Sequence, residues 1–99
     1  MLKIEKQLTD KALCLSLEGR LDSQTSQQLE TEMMVALPGV EELTFDMKGL
    51  EYISSAGLRV LLVAMKAMAK QGKMKLVNVG ETVRDILDVT GFSDILTIE

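Results

Sequence analysis

Histidine and tryptophan are absent from this sequence of 99 residues, which has one cysteine, one proline, one tyrosine and two phenylalanines. Without histidine the chain cannot form a Ser-His-Asp triad, a Cys-His pair or a histidine-based metal site. The single cysteine, Cys14, excludes an internal disulfide, a Cys-x-x-Cys redox pair and an iron–sulfur cluster. Most enzyme chemistry is thereby excluded, and we expect neither a metal nor a cofactor.

Charge and hydropathy limit the possible partners and the location. The net charge of −4 argues against direct nucleic-acid binding, which usually requires a basic surface. The longest apolar run, residues 60–65, is far shorter than the ~20 residues of a spanning helix, so no membrane association is expected. A free thiol in a small domain is typical of a reducing compartment, which predicts a cytoplasmic protein.

The length predicts one domain over residues 1–99, because domains commonly contain roughly 100–200 residues. With 46% hydrophobic residues, the chain can bury one core without disulfides. Apolar periodicity predicts the order β-β-α-β-α-β-α-β. The predicted strands are 2–8, 13–18, 42–48, 73–79 and 94–99, and the predicted helices lie within 22–39, 55–71 and 81–91.

The strands alternate apolar and polar residues, which predicts that helices cover only one face of the sheet. We expect Leu2, Ile4 and Leu8 of the first strand to point inward, and Leu62 and Met65 to belong to the core stripe of the second helix. Since the later strands each follow a helix, they should run parallel. The predicted fold class is α/β, with a mixed sheet of four to five strands.

The segment from Asp46 to Met65 carries the functional signal. A strand ends, a short turn is predicted through Gly49 and Tyr52, and Ser-Ser-Ala-Gly begins a helix. Small residues allow close approach of another backbone, and a helix N-terminus favours negative charge. A simpler interpretation makes Ser54 or Ser55 an N-cap and Gly57 a packing residue.

Two motifs resemble the STAS domain, and in particular the bacterial anti-sigma factor antagonists. They are EGRLDSQT at residues 18–25 and FDMKGLEYISSAGLRVLL at residues 45–62. Two such motifs at this separation are more specific than either alone. The resemblance extends over the whole chain and implies the STAS fold.

The resemblance implies a binding module regulated by phosphorylation. Family members are phosphorylated on a serine at the start of the second helix by an anti-sigma factor that is also a serine kinase, and a PP2C-type phosphatase reverses this. The unmodified antagonist captures the anti-sigma factor and frees the sigma factor. Aligning Gly57 makes Ser55 the phosphoacceptor; Ser54 occupies a position where many members have aspartate, and Ala56 replaces a second hydroxyl.

The same resemblance places a partner-binding surface around Ser55. Its expected members are Asp22, Ser23, Ser54, Ala56, Gly57, Leu58 and Arg59. A phosphate at Ser55 would add about −1.5 to −2 charges, which the helix dipole and the amides of Gly57 and Leu58 should favour. We expect a monomer or a weak dimer.

Two alternatives remain open from the residues. One is a STAS scaffold subunit of a transport or sensory assembly in which Ser55 is never phosphorylated. The other is a small hydrolase or nucleotidase that uses Asp46 or Asp22, although the chain lacks the histidine, metal cluster or phosphate loop that such an enzyme would need.

Overall fold

The computed structural model describes residues 1–99 and contains four strands, three α-helices and one short 3-10 turn. In chain order these are β1 (Leu2–Thr9), β2 (Ala12–Leu21), α1 (Ser23–Ala36), β3 (Glu42–Ile53), α2 (Ser55–Met68), β4 (Lys73–Val77), α3 (Glu81–Val89) and the 3-10 turn Phe92–Asp94. The predicted succession of strands and helices is therefore confirmed up to the last strand.

The four strands form one mixed sheet in the order β1-β2-β3-β4. β1 and β2 make an antiparallel hairpin, whose tight turn places Asp10 in the left-handed region at φ +55°. β2 pairs with β3 and β3 with β4 in parallel, each through a helical connection. The mixed α/β fold class is confirmed.

All three helices pack on one face of this sheet. Leu13, Leu15 and Leu17 of β2 are buried, whereas the residues between them are only partly covered. The same alternation begins β3, where Phe45 is fully buried. These side chains and the apolar faces of the helices form a single cluster of 23 buried residues, so the other face of the sheet faces solvent.

β3 is longer than the sequence pattern predicts. It continues through residues 49–52, where a turn was expected, and ends at Ile53. Between Ser16 and Leu21, β2 advances five residues, while β3 advances seven from Asp46 to Ile53. Two bulges in β3 absorb the difference and let its end remain paired with β2.

The predicted core positions need three corrections. Leu8 of β1 is 64% exposed, because β1 is an edge strand of the sheet; its register partner Leu13 on β2 is buried. In α2, Leu62 and Met65 are only half-buried, and the fully buried positions include Val60 and Ala64 instead. α2 also ends at Met68 rather than near residue 71. None of the helices combines the length and apolarity required to cross a membrane.

The chain ends without the predicted fifth strand. Residues 92–94 form the 3-10 turn, and the only sheet contact that follows is a single parallel bridge between Ile98 and Leu76. Its two hydrogen bonds run from Leu76 N to Thr97 O at 2.8 Å and from Glu99 N to Leu76 O at 2.9 Å. The sheet therefore has four strands, the lower of the predicted numbers.

Candidate partner-binding site

The parallel pairing of β2 and β3 brings the starts of α1 and α2 together. Leu21, the last residue of β2, is the register partner of Ile53, the last residue of β3. Beyond this pair, the backbone N–H of Ser54 donates to the carbonyl of Leu21 at 2.8 Å. The expected surface residues around positions 22–23 and 54–59 therefore occupy one end of the molecule.

Ser54 caps α2 and leaves Ser55 outside the cap. The Ser54 hydroxyl accepts a hydrogen bond from the Gly57 N–H at 3.3 Å, and the Ser54 carbonyl accepts from the Leu58 N–H at 2.9 Å. The amides of Gly57 and Leu58, expected to face a phosphate, are thus already paired. The first-turn amides without an intrahelical partner are those of Ser55 and Ala56.

Ser55 is the first residue of α2, and its side chain is exposed. The neighbouring Ala56 is half-buried and carries only a methyl group. A hydroxyl here lies at the positive end of the helix dipole with little side-chain bulk around it. This position can accept a covalently attached anion without rearrangement of the cap.

Gly57 fixes the distance between α2 and the strand ends. A Cβ atom at this position would lie 2.7 Å from Ile53 Cγ1 and 2.9 Å from both Cγ and Cδ2 of Leu21. Leu58 is only 6% exposed and packs in the core. Gly57 and Leu58 were predicted to contact a partner; in the structure their side-chain positions face inward, towards the strand ends and the core.

Asp22 caps α1 in the same way that Ser54 caps α2. Its Oδ1 accepts from the Gln24 N–H at 3.0 Å and from the Thr25 N–H at 2.9 Å, while the Thr25 hydroxyl accepts from the Asp22 N–H at 2.8 Å. The N–H and hydroxyl of Thr25 lower the pKa of the Asp22 carboxyl. Ser23 begins the helix and is exposed.

Arg59 connects the two helices. Its Nη2 lies 3.0 Å from Oε1 of Glu30 on α1, with 59% of the Arg59 side chain and 31% of the Glu30 side chain exposed. Sequence reasoning identified Arg59 but missed Glu30. The pairing joins positions 29 residues apart, and no local pattern could have indicated it.

A second arginine was also missed. The guanidinium carbon of Arg20 lies 4.6 Å from the centre of the Tyr52 ring, a cation–π contact across the bulged ends of β2 and β3. Because residues 49–52 were predicted to form a turn, no sequence pattern indicated that Tyr52 lies opposite Arg20. This pair adds an aromatic and a cationic group near the starts of α1 and α2.

The carboxylates of the hydrolase alternative have structural roles. Asp46 Oδ1 accepts from the Lys48 N–H at 3.1 Å and from Asn78 Nδ2 at 3.0 Å, and Asp22 is the cap of α1. No three histidine, cysteine, aspartate or glutamate side chains are grouped to hold a metal ion.

Fold and site together define a small α/β domain whose paired helix starts present small and hydroxyl-bearing residues to solvent. The chain belongs to the STAS domain family, whose model matches residues 3–99. BtrV of Bordetella bronchiseptica, assigned as an anti-sigma factor antagonist, is 32% identical over 98% of this chain and 85% of its own. The anti-sigma F factor antagonist of Paenibacillus polymyxa is 31% identical over 98% of this chain and 86% of its own.

Solved structures show the same fold. The anti-sigma factor antagonist SpoIIAA in its unphosphorylated form superimposes with a TM-score of 0.83 at 22% identity, covering 100% of this chain and 88% of SpoIIAA. The phosphorylated form of SpoIIAA from Bacillus gives a TM-score of 0.74 at 20% identity, with coverage of 100% and 91%. The STAS fold expected from the sequence is confirmed.

Proposed function

We propose that this protein is an anti-sigma factor antagonist whose binding surface is switched off by phosphorylation of Ser55. In this role the unmodified protein captures an anti-sigma factor and thereby releases a sigma factor for transcription. The relatives described above carry the same designation over most of their length, and none of them is named as an enzyme. We further propose that residues 1–99 act as one domain in the cytoplasm.

The position of Ser55 is the observation that carries the proposal. Its hydroxyl is exposed on the first residue of α2, while the adjacent Ser54 makes the capping bond. A kinase can therefore modify Ser55 without breaking a bond that holds the helix. SpoIIAA, which has the same fold, is known in both phosphorylated and unphosphorylated forms.

The surface around Ser55 is suited to a switch. Ser23 and Ala56 are small, so a partner can approach the two helix starts closely. A phosphate brings about −1.5 to −2 charges and three acceptor oxygens to this surface. In the free protein the dipole of α2 favours this charge, but in a complex the charge must be desolvated against groups that fitted a neutral hydroxyl.

The proposed partners follow from this scheme. The binding partner is an anti-sigma factor with serine kinase activity, and a PP2C-type phosphatase restores the unmodified serine. We propose that the contact surface consists of Asp22, Ser23, Ser54, Ala56 and Arg59, supported from below by Gly57 and Leu58. In this scheme the site accepts a phosphate that is covalently attached to Ser55, and it needs no other ligand.

The test is co-purification from the native host combined with calorimetry on the purified pair. We expect unmodified protein to bind a protein that carries a serine kinase domain, and protein phosphorylated at Ser55 to bind it at least tenfold more weakly. Mass spectrometry of the modified protein should locate the phosphate on Ser55. Recovery of only transporter or sensory subunits, with no phosphate on Ser55, would instead support the scaffold alternative.

A further inference from the structure

Arg59 and Glu30 form a cross-link between the two helices that bear the proposed binding surface. Their contact of 3.0 Å joins the second turn of α2 to the middle of α1. One other salt bridge involves α1 or α2. It joins Glu32 of α1 to Lys6 of β1. The Arg59–Glu30 pair is therefore the one ion pair between the helices.

Arg59 is also placed to reach a phosphate on Ser55. The two residues are four positions apart on α2, which puts them on the same face one turn from each other. Helical side chains lean toward the N-terminus, so the Arg59 stem is directed toward Ser55. The other arginine near this end, Arg20, lies over the ring of Tyr52.

A phosphoserine would compete strongly for this guanidinium. Glu30 offers one negative charge, and the Arg59 side chain with which it pairs is 59% exposed, so solvent screens the pair and weakens it. A phosphate offers nearly twice the charge and three acceptor oxygens, which the planar guanidinium can bind through two N–H groups at once. Proximity along one helix favours the phosphate further.

We infer that Arg59 exchanges partners on phosphorylation, leaving Glu30 and pairing with the phosphate on Ser55. This inference rests on the proposed function, since it assumes that Ser55 is the modified residue. The exchange breaks the ion pair between α1 and α2 and exposes the Glu30 carboxylate. One modification on α2 thus alters both helices of the surface, which makes Glu30 and Arg59 positioning residues of the switch.

The experiment measures the second pKa of the phosphate by phosphorus NMR. Phosphoserine is incorporated at position 55 during translation, so the measurement needs neither the kinase nor the anti-sigma partner. The charged groups at this end of the molecule are Arg59 on α2, Glu30 on α1, the α1 cap Asp22, and Arg20 on β2, which lies over the Tyr52 ring. Titrations compare the unsubstituted protein with Arg59→Gln, Glu30→Gln and the double variant.

We expect Arg59→Gln to raise the phosphate pKa by several tenths of a unit, because the dianion loses its cation. Glu30→Gln should lower it, since Arg59 no longer has a competing carboxylate. In the Arg59→Gln background, the additional Glu30→Gln substitution should change the phosphate pKa clearly less than it does in the unsubstituted protein. Arg84→Gln, which breaks the exposed pair with Asp88 on α3, is the matched control and should leave the phosphate pKa unchanged.

An unchanged phosphate pKa in Arg59→Gln would overturn the exchange, as would an effect of Glu30→Gln that is equal in both backgrounds. Either result could occur while phosphorylation at Ser55 still abolishes partner binding, so the proposed function would be unaffected. Conversely, the proposed function would be wrong if phosphorylation left the calorimetric affinity for the anti-sigma partner unchanged, whatever the NMR titration reports.

Discussion

Gly57 lies directly against the side chain of Leu21, so that a Cβ atom at position 57 would be 2.9 Å from Leu21 Cγ and Cδ2. The last residue of β2 thus contacts the first turn of α2. This contact joins the start of α2 to the strand that leads into α1. It therefore sets how closely the two helix starts approach each other.

We expect Gly57→Ala to lower the free energy of unfolding by about 1–2 kcal/mol. Overpacking typically costs about 1–3 kcal/mol, and the better helix propensity of alanine returns somewhat less than about 1 kcal/mol in a first turn. Gln27→Ala is the control, because it introduces alanine at an exposed position of α1, and it should change stability by less than about 0.5 kcal/mol. Urea denaturation of both variants is the measurement; equal stabilities would contradict the packing role of Gly57.

Alanine variants of the two adjacent serines should separate the capping residue from the phosphorylated residue. Ser54→Ala removes the acceptor of the Gly57 N–H and should cost about 0.5–2 kcal/mol, while the protein still accepts phosphate. Ser55→Ala should leave stability within ~0.5 kcal/mol and abolish phosphorylation, because alanine is a good first-turn residue and no cap is lost. Thermal melts and mass spectrometry after incubation with the kinase measure the two properties. Phosphate on Ser55→Ala at the normal rate would transfer the assignment to Ser54.

A carboxylate at position 55 should weaken partner binding without destabilising the fold. Since Ser55 makes no capping bond, Ser55→Glu should keep or raise stability by about 0.3–1 kcal/mol through the helix dipole. Binding to the anti-sigma partner should weaken by about tenfold, less than with phosphate, because the mimic carries less charge. Calorimetry with Gln7→Glu as control, at the opposite end of the sheet, tests this. Comparable affinities for both variants would remove Ser55 from the interface.

Acid should reduce the contribution of Asp22 to stability. Its pKa in the folded state is lowered by the N–H and hydroxyl of Thr25, so its contribution is complete above the unfolded pKa and is lost as the pH falls through the folded pKa. Asp22→Asn keeps a good N-cap but cannot titrate. The stability advantage of the unsubstituted protein over this variant should therefore shrink between about pH 5 and about pH 2. A constant difference across this range would show that the carboxylate charge does not act at the cap.

The sequence predicted the order of the elements along the chain, the one-sided helix layer and both helix starts, because alternation and capping residues are local signals. It failed at the end of β3, where the buried residues Met47, Leu50 and Ile53 are spaced by three instead of two. The bulges produce this spacing, and a strand rule with period two cannot recognise it. The same failure concealed the contact of Tyr52 with Arg20.

The structure of the last segment and the ion pairs could not be predicted from sequence patterns either, but for a different reason. Residues 94–99 alternate like a strand, yet only Ile98 forms a bridge, since the preceding 3-10 turn determines how the chain meets β4. The Arg59–Glu30 pair depends on how α1 and α2 pack, which is a property of the folded chain. The position of Ser55, in contrast, followed from its place in the motif before Gly57.

The bulges of β3 also restrict how the length of this chain can vary. A deletion of one regularly paired residue between positions 46 and 53, with both bulges kept, would reverse the face of the sheet on which Ile53 lies, and α2 would then leave the sheet on the solvent side. A deletion of the extra residue of each bulge would instead keep Ile53 on its face and opposite Leu21, because these two residues have no partner of their own on β2. Insertions and deletions are therefore excluded from the regularly paired positions at the end of β3, because they would change the face on which Ile53 lies.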